Sequence, residues 1–392
     1  MTGLCAQKLV EPDAIESELK AIWEKLSQEN KTRACLFNLL IFNRYSPRTD
    51  YIRSIAQKVV EKFPCRLIFI SEDPDAEKPY LKTAVSVIIP QSKESSVACD
   101  HIDIGVGGTD IERTPYLVLP HILPDLPITL LWTEDPTVPH PLFKPLTKLA
   151  HRLIFDSESA ADLFAFAKTV SDLQKEGPFD VADLNWARTE EWRDLLAFLF
   201  RTPEKINLLT HLKSLNLVYN QKENAYFTHL KIQSMYLIAW LSSRLGWKLH
   251  HARSGLANLE GHHKGPSLSP SEAPQNSHNL TERGISDGLK CTSKHGSIAV
   301  SIDTEPWKNL GPGTIISVRL ETKEKNIFHC GRKKLEPHCV DIKVTTDEKC
   351  DLPYQFLLQQ TATGHSLVQE ICRRGTSAHY LEMLQTLMKM KE

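Results

Sequence analysis

"ACLFNLLIF" (Ala34 to Phe42) and "CRLIFIS" (Cys65 to Ser71) flank a segment in which Ile52, Ile55, Ala56, Val59, Val60 and Phe63 recur at helical spacing. The flanking runs are apolar, of strand length, and lack the alternation of a half-solvated strand. They read as strands covered on both faces, as strands in a parallel sheet are. Pro64 stops the helix between them. Strand, helix and strand in this order make a βαβ unit with a right-handed crossover. That unit decides the fold class: α/β, with an N-terminal domain built on a mostly parallel sheet.

The pattern extends in both directions. Upstream, Ile15, Leu19, Ile22, Trp23 and Leu26 predict an amphipathic helix from Asp13 to about Ser27. Downstream, strand-like runs fall at 83–89, 99–104, 128–133 and 151–156, with helix-like segments at 140–150 and 158–175. "LVLPHILPDLPITLLW" (Leu117 to Trp132) is too short and too proline-broken to cross a membrane. It divides into a buried helix begun by Thr114-Pro115 and kinked at Pro120, a turn at Asp125, and the core strand "ITLLW". Asp125 then lies at the strand's amino end. Trp132 lies at the carboxyl end, where open α/β sheets receive ligands and partners.

Beyond residue 178 the pattern changes. Thr189 is placed to cap a helix with Glu190 and Glu191 in its first turn and Trp192, Leu195, Leu196 and Leu199 inward. A second helix is expected over 224–245, closed by Arg244 and Gly246. Residues 255–290 are rich in Gly, Pro, Ser, Asn and His and read as a flexible insertion. Strand-like runs at 297–303, 314–321, 326–330, 339–345 and 354–359 precede a closing helix over 366–390. They predict a C-terminal α+β domain with a small antiparallel sheet. The expected division is 1–178 (α/β domain), 179–254 (helical part opening the C-terminal domain), 255–292 (low-complexity insertion) and 293–392 (β-rich part with closing helix).

The 47 basic and 48 acidic residues nearly cancel, which removes the electrostatic case for nucleic acid or anionic lipid as a partner. "MTGLCAQKLVEPD" lacks the basic and apolar regions of a secretory signal. Nine cysteines without a scaffold rhythm read as reduced thiols, so a cytoplasmic location is expected.

Motifs for chemistry are scarce. "DIGVGGTD" (Asp103 to Asp110) fits neither G-x-G-x-x-G nor the P-loop and reads as a tight strand-to-helix turn. His329-Cys330 and His338-Cys339 lack the knuckle spacing of structural zinc, so no metal site is assigned. Cys330, Cys339, Cys350 and Cys372 are the redox candidates, against buried inert thiols as the plain reading. "DLNWARTEEWRDLLAFLF" (Asp183 to Phe200) joins two tryptophans to Arg188 and Arg193. Trp192 fits a helix core, whereas Trp186 and Arg188 have no helical periodicity and suit a docking surface.

"RACLFNLLIF", "KFPCRLIFI", "LPHILPDLPITLLW", "HRLIFDSESA", "DLNWARTEEWRDLLA" and "WLSSRLGW" occur in this order over about residues 33–250. Together they closely resemble the OpcA family, the assembly proteins of glucose-6-phosphate dehydrogenase. "SLVQEICRRGTSAHYLEMLQTL" extends the likeness more loosely, while Thr133 and His151 depart from the family's usual Trp and Asp. The resemblance implies a non-enzymatic activator that binds the dehydrogenase, promotes its active oligomer, and raises NADPH supply through the oxidative pentose phosphate pathway. It implies no catalytic residue and no cofactor.

The partner-binding candidates are accordingly Trp132, Asp156, Ser157, Asp183, Trp186, Arg188, Trp192 and Arg193. The main alternative is an enzyme of sugar-phosphate metabolism, with Trp132, Glu134, Asp135, Asp156 and Ser157 along the sheet's carboxyl rim. A thiol-sensing regulatory module is the other.

Overall fold

A computed structural model describes residues 3–4, 7–89, 97–222, 224, 226–227, 229–251, 289–346, 353–359 and 364–390. The βαβ unit stands as read. Strand β1 (Asn38–Arg44) leads into α2 (Thr49–Lys62) and β2 (Arg66–Asp73), with α1 (Ile15–Gln28) preceding them. β1 and β2 are parallel, Asn38 facing Arg66 and Phe42 facing Ile70. β3 (Tyr80–Ile89), β4 (Val97–Gly107), β5 (Ile128–Trp132), β6 (Arg152–Phe155) and β7 (Asp180–Asp183) complete the first sheet, in the order β3-β4-β2-β1-β5-β6-β7. Short strands at Gly3–Leu4, Lys8–Val10 and Thr32–Arg33 add to its far side. From β4 to β7 the main strands run parallel, and only β3 opposes its neighbour. The order winds outward both ways from β1, so the chain reverses its direction of travel between β1 and β5.

Alternation along each strand serves both faces. Leu40, Phe42, Ile68, Ile70, Leu130 and Trp132 point into one apolar cluster. Leu39, Ile41, Leu67, Phe69 and Leu131 point into another, closed by Ile52, Ile55 and Val59 of α2. Each such side chain contributes about 1.5–3 kcal/mol when fully buried.

The second sheet is larger than the sequence reading expects. β8 (Leu212–Asn220), β9 (Lys248–His251), β10 (Leu289–Ser293), β11 (Gly296–Glu305), β12 (Ile315–Thr322), β13 (Ile327–Arg332), β14 (Cys339–Thr345) and β15 (Tyr354–Leu357) lie in the order β9-β10-β11-β8-β12-β13-β14-β15. All pairs are antiparallel except β8 with β11. β8 lies in the stretch expected to be helical. Leu215, Leu217 and Tyr219 alternate inward along it and carry the strand period.

Three helical expectations need correction. The helix expected over 224–245 is α9 (Ile232–Leu245), because Asn224 accepts the amides of Tyr226 and Phe227 at 2.7 and 2.6 Å and holds its segment in a turn. The closing helix is two, α10 (His365–Cys372) and α11 (Ala378–Lys389). Gly375 at φ +77° breaks them, and the Ser377 hydroxyl caps the second by accepting from Tyr380 N. α3 (Thr114–Val118) begins with Thr114 inside the helix and without the side-chain cap expected of it, and Pro120 falls in a following 3-10 turn. Asp125 is exposed, at φ +63°, in the turn before β5. Gly246 closes α9 in the left-handed conformation, as read. The insertion over 255–290 lies outside the described residues.

The chain's end ties the two sheets together. α10 packs on α2 and on the helix after β7, putting Leu367 and Val368 into the first sheet's second cluster. α11 packs between α5 (Leu163–Glu176), which covers the first sheet, and α9, which covers the second. Tyr380, Met383, Leu384 and Leu387 thus make the two cores continuous.

His101 in β4 is a buried pH-sensitive element. Burial pushes its imidazole down from 6.5 to about 4, against the pull of Asp103, and Ser86 Oγ lies 3.0 Å from its Nδ1. A base with a depressed folded pKa contributes stability above its unfolded pKa and loses it as pH falls through the folded one. The window runs from pH 6.5 to about 4, and the loss should total about 3 kcal/mol. Urea midpoints measured across that window should fall more steeply for the native chain than for His101→Gln. Equal slopes would remove His101 as the cause.

Candidate functional site

An open parallel sheet offers its ligand site beyond the strands' carboxyl ends, at the reversal between β1 and β5. Here that crevice is filled by the chain itself. Phe42 and Trp132 stack at 4.2 Å, Phe143 meets Trp132 edge-on at 4.8 Å, and His140 lies 4.6 Å from Phe42. A dinucleotide fold needs a glycine turn after its first strand so that backbone can approach the pyrophosphate. The turn here is Asn43-Arg44-Tyr45-Ser46-Pro47-Arg48, without glycine. Asn43 uses its amide on the Arg44 carbonyl and the Thr49 hydroxyl, both at 2.8 Å. Glu72, at the end of β2, accepts from Arg44 Nε (3.1 Å) and sits 3.0 Å from His140 Nε2. The residues do not fit a dinucleotide.

The rim acids proposed for an enzyme serve the backbone. Asp135 accepts the amides of Thr137 and Ala161, each at 2.9 Å. Glu134 accepts from Arg44 N at 3.2 Å, and burial raises its pKa. Asp156 caps the turn after β6 and takes Arg48 Nη2 at 2.6 Å, with Arg188 Nη1 at 3.7 Å. Asp183 caps α6 (Leu184–Arg188), accepting from Asn185 N (2.8 Å), Trp186 N (2.9 Å), Ser157 N (2.9 Å) and Ser157 Oγ (3.1 Å). Burial pushes the Asp183 carboxyl up to about 7, against the pull of those donors. Ser157 is joined to Asp183 and Asn185, and Asp162 caps α5.

Asp156, Ser157, Asp183 and Arg188 are therefore brought together, as one buried polar knot at the ends of β6 and β7. Arg188 closes it by donating to Asn185 Oδ1 (2.8 Å) and the Tyr51 hydroxyl (3.2 Å).

Trp132 and Trp186 are a correction: at 1% and 2% exposed, neither presents its ring as a surface anchor, while Trp192, at 1%, lies in the helix core that its spacing predicts and not at a partner surface. Trp186 lies in α6 and packs against Tyr380, and the Arg193 guanidinium stacks on its ring at 3.4 Å. Arg193 is buried too, donating to the Trp186 carbonyl (2.6 Å) and the Thr189 hydroxyl (2.5 Å). Burial lowers its guanidinium to about 9. Thr189 occupies the cap position of α7 (Glu190–Leu199), yet its hydroxyl donates back to Trp186 O and makes no cap bond. Trp186, read with Arg188 as a docking surface, is thus held with Arg193 in an internal joint between helices.

Cys330 and Cys339 are buried, and desolvation pushes the Cys330 thiol up to about 12. Register sets Cys330 opposite Ile342 and Cys339 opposite Leu357. Cys372 is exposed at the end of α10. Cys350 lies outside the described residues. No group of His, Cys, Asp or Glu that could hold a metal occurs among the described residues. None of the described helices is long and apolar enough to cross a membrane.

Two features escaped the sequence reading. Arg152 Nη2 pairs with Glu370 at 2.8 Å and Arg152 Nη1 donates to Gly375 O, fastening the α10–α11 junction to β6. Cys35, Cys65 and Cys99 gather at the amino ends of β1, β2 and β4, with Arg66 N donating to Cys35 Sγ at 3.0 Å. Both join residues far apart in sequence, and only the strand register announces them.

Two family models match this chain. One, described as the glucose-6-phosphate dehydrogenase subunit N-terminal domain, covers residues 56–172, and its C-terminal counterpart covers 179–384. The chain belongs to the OpcA family. The "Putative OxPP cycle protein OpcA" of Synechococcus elongatus is 26% identical over 197 residues, which is 50% of this chain and 42% of that protein. The protein of the same name in Nostoc punctiforme is 28% identical over 213 residues, 53% of this chain and 42% of its own length. This OpcA-family chain therefore matches less than half the length of those relatives. Among solved structures, the 3-ketoreductase KijD10 of Actinomadura kijaniata covers 90% of this chain and 94% of its own, at 9% identity and a TM-score of 0.47.

Proposed function

We propose that this OpcA-family chain is a non-enzymatic partner of glucose-6-phosphate dehydrogenase, binding its active oligomer in preference to less active forms. The observation carrying the proposal is family membership across both halves of the chain, each matched by a model described as a subunit domain of that dehydrogenase. The rim acids support it: their oxygens are engaged by backbone amides and arginines, an arrangement suited to holding a shape. An activator of this sort needs only differential affinity, and a tenfold preference corresponds to about 1.4 kcal/mol. NADPH supply through the oxidative pentose phosphate pathway would rise with the active oligomer.

The test is a titration of purified glucose-6-phosphate dehydrogenase with this chain, following NADPH formation and complex mass together. Co-migration, a larger dehydrogenase oligomer and a changed rate or substrate affinity are expected. The absence of both co-migration and a kinetic change would sink the proposal. Turnover of sugar phosphates by this chain alone would support the enzymatic alternative.

A further inference from the structure

On the far side of the polar knot, α6 and α7 form one wall of a cleft of about 450 Å³ between the two sheets. Pockets of this size take small organic ligands. Among the described residues, its lining carries Arg188, Lys222 and Arg332 with the carboxylate of Glu191. Arg188 is answered by Asp156 behind it. Glu191 accepts from Gln359 N at 2.6 Å, and burial raises its pKa. His365 also faces the cleft and is held toward the neutral form by burial and Lys62.

Arg332 lies over the Trp192 ring, its guanidinium 5.5 Å from the centroid. Its Nε donates to the Ile315 carbonyl (2.8 Å) and its Nη1 to the Pro337 carbonyl (2.5 Å). It forms no ion pair among the described residues, and burial lowers its guanidinium to about 10 against the pull of Glu191. A cation drawn out of water with only neutral acceptors is costly unless an anion reaches it. Lys222 lines the same cleft, exposed, its ammonium donating to the Lys308 carbonyl.

Aromatic rings line the cleft beside Arg188, whose guanidinium lies 5.2 Å from the Phe227 ring centroid. Tyr51 and Tyr226 stack at 5.7 Å, and Phe227 meets Tyr51 edge-on at 5.2 Å. Asn224, Gln233 and Thr314 add amides and a hydroxyl to the lining. Cationic side chains suit a phosphate dianion, polar side chains suit hydroxyls, and aromatic faces suit the C–H side of a ring. We propose that this cleft binds a phosphorylated sugar, its phosphate on Arg332 and Lys222 and its ring against Tyr226 and Phe227. The proposal is independent of the dehydrogenase partnership and is tested on the chain alone.

Calorimetric titration of the full chain with ribose 5-phosphate should give saturable binding, with ribose silent and inorganic phosphate at least about tenfold weaker. Arg332→Gln should weaken ribose 5-phosphate by about tenfold or more, and Lys222→Gln by about threefold. Tyr226→Ala should weaken ribose 5-phosphate while leaving inorganic phosphate unchanged. If Arg332→Gln fails to fold, the exposed Lys222 and Tyr226 variants still decide. No binding by the native chain, binding unaffected by Lys222→Gln and Tyr226→Ala, or tighter binding of adenosine monophosphate would overturn the proposal.

Discussion

Asp100→Ala is expected to cost about 3–5 kcal/mol, seen as a lower urea midpoint with unchanged slope. Asp100 lies in β4 and accepts from Arg66 Nε and Nη2 at 3.0 and 2.9 Å, Arg33 Nη2 at 2.5 Å and Trp23 Nε1 at 2.6 Å. Arg66 is only 2% exposed, so truncation leaves a buried guanidinium whose remaining carboxylate is Glu16. Glu16 is half exposed and replaces little of the lost interaction. Its carboxyl is pulled down to about 2 by His121, with Arg66 also contributing. A depressed acid stabilises above its unfolded pKa of 4.5, and that stability is lost as pH falls toward 2. The penalty comes from the orphaned charge. Asp100→Leu with Arg66→Met should therefore recover most of the loss. A double variant as unstable as Asp100→Ala would show that shape, not charge pairing, governs the site.

Trp132→Ala is expected to cost about 3–5 kcal/mol, with Trp132→Phe costing markedly less. The indole is 1% exposed, stacked on Phe42 and met edge-on by Phe143. Its removal leaves a cavity where a nucleotide fold would hold ligand. Chemical denaturation and dehydrogenase binding should be measured on the same preparation. A docking anchor would lose binding with stability changed by no more than about 0.5 kcal/mol. That outcome would return Trp132 to the surface and overturn the packing described above.

The first sheet was legible because strands covered on both faces are continuous apolar runs, and "LFNLLIF", "RLIFI" and "ITLLW" are such runs. α2 was legible from its helical period, and α9's end from Gly246. β8 carried a period-2 signal that the surrounding helices masked, since its ladder partners β11 and β12 come 80 residues or more later. The break between α10 and α11 is written locally, as Gly375 followed by the cap Ser377.

The site was less legible, for a different reason. Asp156, Ser157, Asp183 and Arg188 are plain polar residues at strand ends, and which hydrogen bonds they make depends on β6 and β7 being adjacent. Trp186 and Arg193 look like interface anchors in one dimension. In three dimensions α11 brings Tyr380 over Trp186 and buries both.

From its sequence alone the chain determined its family, its parallel N-terminal sheet and the turn role of Asp125, because periodicity and block order are local properties. Tertiary structure alone decided that the nucleotide crevice is filled by Phe42, Trp132 and His140, that Trp132, Trp186 and Trp192 are interior, and that Arg332 lines a cleft without forming an ion pair among the described residues. Those outcomes depend on which side chains meet across the two sheets, and burial sets the cost of each charge left between them.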